Sequence, residues 1–124
     1  MFRSVAQAYE TVTRGSAQGR QLEAEALFKA ARLLDACRMH WAAADRRERL
    51  AEALRFNQRL WTLFQTDLAR PGHALPADMR VNLLRISAFM DRRTFEIMAN
   101  PAPEKLQALI DINRNIALGL TATS

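Results

Sequence analysis

Apolar residues recur at intervals of three and four along most of the chain, which is the period of one face of an α-helix. In residues 20–44 this face carries Leu27, Ala30, Leu34, Cys37 and Trp41. In residues 46–70 it carries Leu50, Leu54, Asn57, Trp61, Phe64 and Leu68. No stretch alternates with the period of two that marks a β-strand. The pattern therefore predicts an all-α fold.

Prolines divide the second half of the chain into two further helices. Pro71-Gly72 ends the second helix, and a third is predicted over residues 77–99. The proline-containing residues 100–103 interrupt the chain again. A fourth helix is predicted over residues 104–118, with Gly119 as its expected C-cap.

The boundary between the first two helices is the least defined. Asp45, with Glu48 three residues later, resembles a capping box that would start a new helix at Arg46. Residues 41–44, a tryptophan followed by three alanines, contain nothing that forces a break. From the sequence, the two helices are either separate or one kinked rod.

The N-terminal residues have a different pattern. Threonine, glycine and serine interrupt residues 1–18, where only Phe2, Val5 and Tyr9 have helical spacing. We therefore predict a flexible N-terminal segment over residues 1–18. A small bundle of three to four helices follows over residues 19–124.

Several inner and outer positions suggest a partner. The third helix is apolar nearly all round, so it is either central or presents one face to a partner or a second copy. Asn57 and Asn113 stand at inner positions, where an unpaired amide is costly. They either hydrogen-bond within the bundle or orient a bound peptide. Trp61 and Phe64 either pack in the core or line an aromatic groove for an amphipathic helix.

The net charge of +5, from 18 Lys and Arg against 13 Asp and Glu, makes nucleic acid a candidate ligand. Arg46, Arg47, Arg92 and Arg93 would then contact phosphates. These arginines are interleaved with acidic residues, which is typical of a solvated helix surface. No signature of a common RNA-binding fold is present. The sequence therefore disfavours direct RNA binding.

Residues that usually carry chemistry are scarce. Cys37 is the only cysteine, and His40 and His73 lie in different segments, so neither an internal disulfide nor a zinc site is expected. No phosphate-binding glycine motif occurs. We expect no enzyme activity, no catalytic residue, no metal and no cofactor. The sequence has no signal peptide and no apolar run long enough to span a membrane, which favours the cytoplasm.

Two segments carry recognisable motifs. Residues 54–67 read LRFNQRLWTLFQTD, in which an aromatic residue and Asn57 precede Leu-Trp, Phe and Asp. Residues 109–120 read LIDINRNIALGL. Together with an early tyrosine, Tyr9, they resemble the FlaF family, flagellin-biosynthesis regulators of alphaproteobacteria, over about residues 5–121. Phe56 stands where many members of that family have tryptophan.

The resemblance implies a small cytosolic helical protein needed for flagellin production, secretion and filament assembly. The resemblance also implies that the protein acts on flagellin as a chaperone or accessory factor. Its effect would oppose that of FlbT, a partner regulator that restrains translation of flagellin mRNA. The alternative is a post-transcriptional regulator that acts on flagellin mRNA directly or through FlbT. For a chaperone, the ligand would be a terminal helical segment of flagellin. We expect its contacts to be Tyr9, Asn57, Trp61, Phe64, Phe89, Met90, Asn113 and Arg114.

Overall fold

The computed structural model describes residues 17–72 and 76–122, and these form four α-helices and one short 3-10 helix. They run, in chain order, α1 Ala17–Met39, α2 Arg46–Leu68, α3 Ala77–Ala99, the 3-10 helix Pro103–Leu106 and α4 Gln107–Ala122. None of these residues lies in a strand, so the predicted all-α bundle is confirmed. The predicted flexible segment over residues 1–18 lies outside the described residues, except for its last two.

Helix α1 makes its most extensive contact with α4 and also packs against α2, while α3 packs against α2. Small side chains on the inner face of α1 let the helix backbones approach closely, because alanine adds little volume between them. The core then fills with larger residues from all four helices and the 3-10 helix. Its largest fully buried apolar side chains are Trp61, Leu27, Leu34, Leu68, Met90, Ile97, Leu106, Leu109 and Ile110.

Helices α1 and α2 are separate, and α1 is shorter than the predicted helix over residues 20–44. After Met39 the carbonyl of His40 accepts the Ala43 N–H at 3.0 Å, and the Ala43 carbonyl accepts the Arg46 N–H at 3.1 Å. These three-residue steps replace the four-residue ladder of an α-helix and turn the chain. Trp41 then packs against the core from within the turn.

The predicted capping box at the start of α2 is wrong. Asp45 is the residue before the helix, but its side chain makes no capping hydrogen bond. Its backbone has φ −93° and ψ 17°, whereas a capping residue usually adopts the extended region. The carboxylate instead accepts a hydrogen bond from Arg49 Nε at 2.8 Å.

The end of α4 also differs from the prediction. Gly119 was expected to terminate the helix, yet α4 continues through it to Ala122. The glycine is buried and is followed by buried Leu120. Packing of this last turn therefore outweighs the low helix propensity of glycine, which is about 1 kcal/mol worse than alanine.

Helix α3 has the predicted bounds of residues 77–99. Its buried face consists of Leu83, Ser87, Met90, Thr94 and Ile97, which follow one another at steps of three and four. Val81, Phe95 and Met98 point outward and are exposed. The helix thus has one buried face and an outer face on which apolar side chains meet solvent.

Candidate functional site

The residues of the two sequence motifs meet inside the bundle. Trp61 Nε1 donates a hydrogen bond to Asn113 Oδ1 at 2.9 Å, and Asn113 Nδ2 donates to Asn57 Oδ1 at 2.8 Å. Asn57 Nδ2 in turn contacts the sulfur of Met90 at 3.7 Å as a weak donor. Each of the four residues is at most 1% exposed. A chain of hydrogen bonds therefore joins α2, α4 and α3 through the core.

The chemistry at its two ends sets the direction of this chain. An indole N–H can only donate, and a thioether sulfur can only accept. Asn113 must therefore present its carbonyl oxygen to Trp61, and Asn57 must present its amide nitrogen to Met90. The amide orientations follow from these partners, which is unusual because the two ends of an amide are otherwise hard to tell apart.

Thr94 is a further buried polar residue, and its hydrogen bond stays within its own helix. Its hydroxyl donates to the carbonyl of Met90 one turn earlier, at 2.7 Å, and so needs no partner from another helix. The hydroxyl of Ser87, also fully buried, has no hydrogen-bond partner. Among the polar residues of α3, Thr94 is thus satisfied locally while Ser87 is not.

Trp61 and Phe64 pack with each other at the edge of the core. Their ring centroids are 5.3 Å apart and the rings are perpendicular, the edge-to-face arrangement that aromatic pairs prefer. Both line an apolar pocket of about 40 Å³ together with Leu27, Leu68, Leu83, Ile116 and Leu120. This volume is far below the roughly 300 Å³ at which ligand pockets begin. The pocket is too small to hold a partner's helix.

Arg114 lies on α4 and faces α1. Its Nη2 is 3.4 Å from Asp35 Oδ2, while Arg38 holds the other carboxylate oxygen of Asp35 at 2.8 Å. The hydrogen bond from Arg38 is the main cause that lowers the pKa of Asp35, and partial burial of the carboxylate opposes it. Arg114 lowers the pKa further by its charge and its hydrogen bond. This cluster ties α4 to α1 next to Asn113.

The predicted contact residues thus fall into three groups. Asn57, Trp61, Met90 and Asn113 are buried, and for the two asparagines the structure shows the hydrogen-bonded interpretation rather than an open peptide site. Phe64, Phe89 and Arg114 are half-buried and reach the surface. Tyr9 lies outside the described residues. A role for any of them in binding a partner stays a prediction.

Phe89 carries a cation on its outer face. The guanidinium of Arg93 lies 5.4 Å from the ring centroid, within the range of a cation–π contact. Lys29 covers Phe56 and Arg46 covers Trp41 in the same way, at 4.8 Å and 4.6 Å. Several of the cations therefore shield half-buried aromatic rings from water.

Cys37 is buried, and its burial raises the pKa of the thiol. A reactive thiol is normally accessible and has a lowered pKa, so this environment is that of a packing residue. Among the described residues, no group of three or more His, Cys, Asp and Glu side chains could hold a metal ion. In the same part of the chain, no helix has the length and hydrophobicity to cross a membrane.

The exposed apolar residues of α3 agree with the predicted apolar surface of that helix, whereas no exposed apolar residue was predicted on α2. Leu63 on α2 is 69% exposed, and Met98 at the end of α3 is 62% exposed. The helical spacing does not single out Leu63, because it lies between the buried Trp61 and the half-buried Phe64 in the sequence but on the exposed side of the helix. The one available signal was its spacing of four from Arg59 and of eight from Arg55.

The fold and its interior together define a class: a small all-α bundle whose helices are joined by a buried tryptophan–asparagine network. The family model described as flagellar protein FlaF matches residues 5–120, nearly the whole chain. The chain belongs to the FlaF family, and its role is in the flagellar system. Neither a curated protein nor a solved structure matches the chain.

Proposed function

We propose that this protein is a cytoplasmic flagellin-binding accessory factor that acts as a chaperone. It holds a terminal helical segment of flagellin before export, and so promotes flagellin synthesis, secretion and filament assembly. The proposal assigns no catalytic step and no cofactor. Family membership supports the flagellar context.

The observation that carries the binding role is the apolar surface of the bundle. Large hydrophobic side chains remain between 43% and 69% exposed, and three of them, Val81, Phe95 and Met98, stand on the outer face of α3. Scattered exposed hydrophobic residues are normal, but Phe95 and Met98 lie one turn apart on one helix. Such a face fits the apolar stripe of an amphipathic helix.

Among the predicted contacts, the half-buried Phe64, Phe89 and Arg114 are the ones a partner can reach directly. Contact with Trp61, Met90, Asn57 or Asn113 requires the bundle to open, because all four are buried. We therefore place the first encounter with flagellin on the surface. The interior network keeps the surface in one arrangement, which lowers the entropy cost of binding.

Isothermal titration of the purified protein with monomeric flagellin tests this function. Full-length flagellin and flagellins lacking either terminal segment are titrated under reducing conditions, and loss of one terminus should abolish the heat. A FlbT-type regulator and the flagellin transcript leader are titrated in parallel. Binding to either of these, with no heat from any flagellin, would replace the chaperone proposal with the post-transcriptional one.

A further inference from the structure

One face of α2 borders two neighbouring depressions. The first, about 480 Å³, is lined by Arg47, Leu50, Ala51, Leu54, Arg55, Gln58, Met98 and Pro101. The second, about 520 Å³, is lined by Arg55, Gln58, Arg59, Thr62 and Leu63. Because they share Arg55 and Gln58, they form one continuous feature, which we call the α2 groove. From Arg47 to Leu63 it follows the helix for roughly 24 Å at 1.5 Å per residue.

Apolar side chains line the two ends of the α2 groove, and Arg55, Gln58, Arg59 and Thr62 lie between them. Leu50 and Leu54 are nearly buried and form its floor at one end, where Met98 stands beside them with its side chain largely in solvent. Leu63 lines the other end and is the most exposed of the large hydrophobic residues in the described chain. Leu50 and Leu63 are roughly 20 Å apart at 1.5 Å per residue, so the two apolar ends match a helix whose apolar anchors are spread over about four turns.

The charged side chains that line the α2 groove are all positive. Arg47, Arg55 and Arg59 line it, and no carboxylate does. None of the three forms an ion pair within the described part of the chain, whereas arginines elsewhere do, such as Arg38 with Asp35 and Arg49 with Asp45. Glu48 and Glu52 belong to the same helix but do not line the α2 groove. The surface is therefore complementary to a partner that carries acidic groups.

We propose that the α2 groove binds an amphipathic helix of about four turns whose apolar stripe is flanked by acidic side chains. The identity of that helix rests on the proposed function, in which it belongs to flagellin. A second copy of this chain is a poor occupant. A two-fold arrangement would place Arg47, Arg55 and Arg59 against the same three arginines, on a chain of net charge +5.

The test compares variants that alter the α2 groove with matched variants elsewhere. Arg55→Glu/Arg59→Glu reverses two charges in it, and Arg32→Glu/Arg85→Glu makes the same change at exposed arginines outside it. Leu63→Ser removes an exposed leucine from it, and Leu118→Ser removes one on α4. All six positions are solvent-facing, and circular dichroism verifies that each of the four variants keeps its helical content.

Affinity is measured by titration with monomeric flagellin and with two synthetic peptides. The peptides share one apolar stripe and carry either glutamates or lysines beside it. The wild-type protein should bind flagellin and the glutamate peptide. The charge reversal should weaken both by about tenfold or more and improve binding of the lysine peptide, while the matched variants change affinity by less than about twofold. Leu63→Ser should weaken binding of the glutamate peptide and of the lysine peptide by the same factor, because it removes an apolar contact and no charge.

The outcomes separate the two proposals. Flagellin binding that all variants retain equally overturns the α2 groove as the site and leaves the chaperone function standing. Binding of the glutamate peptide in the α2 groove, without any binding of flagellin, keeps the site and refutes the proposed partner. Self-association of the wild-type chain in sedimentation, abolished by Leu63→Ser, assigns the surface to a second copy instead. RNA binding that depends on Arg55 and Arg59 but not on Leu63 also refutes an amphipathic helix as the ligand of the α2 groove.

Discussion

The side-chain amide of Asn113 accepts one hydrogen bond and donates another in a place where water cannot replace either. Asn113→Leu keeps the number and branching of the side-chain heavy atoms but leaves the Trp61 N–H and the Asn57 carbonyl without partners. We expect it to destabilise the protein by about 2–4 kcal/mol, since each orphaned buried group costs about 1–3 kcal/mol. Urea unfolding followed by circular dichroism measures this.

Asn115→Leu is the control, because Asn115 is exposed on the same helix. It should change stability by no more than about 0.5 kcal/mol. A second variant tests the network itself. Trp61→Phe removes the N–H donor of the same network. The double variant Trp61→Phe/Asn113→Leu should therefore lose less stability than the sum of the losses in the two single variants. Equal effects at positions 113 and 115 would mean that the network contributes nothing to stability.

The ion pair of Asp35 makes the stability of the fold depend on pH. Its pKa is lowered from an ordinary value of 3.8, first by the hydrogen bond from Arg38 and then by the charges of Arg38 and Arg114. A carboxylate with a lowered pKa stabilises the fold above its unfolded pKa, and this contribution disappears as the pH falls through the folded pKa. Asp35→Asn should therefore cost about 0.5 kcal/mol at pH 7, and this cost should shrink as the pH falls below 3.8 and through the folded pKa.

Urea titrations of the wild type and Asp35→Asn at pH 7, 4 and 2 measure this difference. Salt at 1 M should reduce it at pH 7, since the Arg38 side chain is 38% exposed and its charge is screened. A difference that stays constant across all three pH values would assign the effect to packing rather than to the ion pair.

At the scale of the elements, the turn after α2 depends on one backbone angle. Gly72 has φ +75°, and a Cβ placed there would meet no atom within 4 Å. Space is therefore available, but the left-handed conformation costs an L-residue about 1 kcal/mol or more. Gly72→Ala should destabilise by roughly that amount in urea unfolding. Gly72→Asn should cost less because asparagine tolerates this region. If both variants match the wild type, the angle is not imposed by the turn.

Helix boundaries were predictable where the sequence itself ends a helix. The start of α3 after Pro76 agrees with the structure, and so does its end near Asn100. The end of α1 was not predictable, because three alanines favour continuation while Trp41 turns back onto the core. Gly119 was assigned as a cap by its local propensity, whereas tertiary packing keeps it helical. Contacts between helices decided both of these cases.

The site shows the same division between local and tertiary information. The helical spacing of three and four residues alone predicted that Asn57 and Asn113 lie in the interior, and both are fully buried. Their pairing across 56 positions was not visible, because it depends on how α2 and α4 are arranged. The α2 groove was missed for a related reason: it combines residues of α2 with Met98 from the last turn of α3 and Pro101 beyond its end. Sequence periodicity describes one helix at a time.

At the scale of the whole molecule, the contacts predict that the bundle unfolds as one unit. The hydrogen-bonded chain links α2, α4 and α3, and α1 packs against both α2 and α4. No described helix therefore has a core of its own, and loss of one exposes the apolar faces of the others. Small single domains of this kind usually unfold in one cooperative transition.

The two tryptophans make this cooperativity measurable. Trp61 is buried in the network, and Trp41 lies half-buried in the turn after α1. In a Trp41→Phe variant, fluorescence reports only on the environment of Trp61, while far-ultraviolet circular dichroism reports on all helices. Because α1, α3 and α4 all enclose the core around Trp61, the two signals should share one urea midpoint and one slope of about 1–3 kcal/mol per M. Two separate midpoints would show that part of the bundle, α3 being the least connected, melts before the network opens.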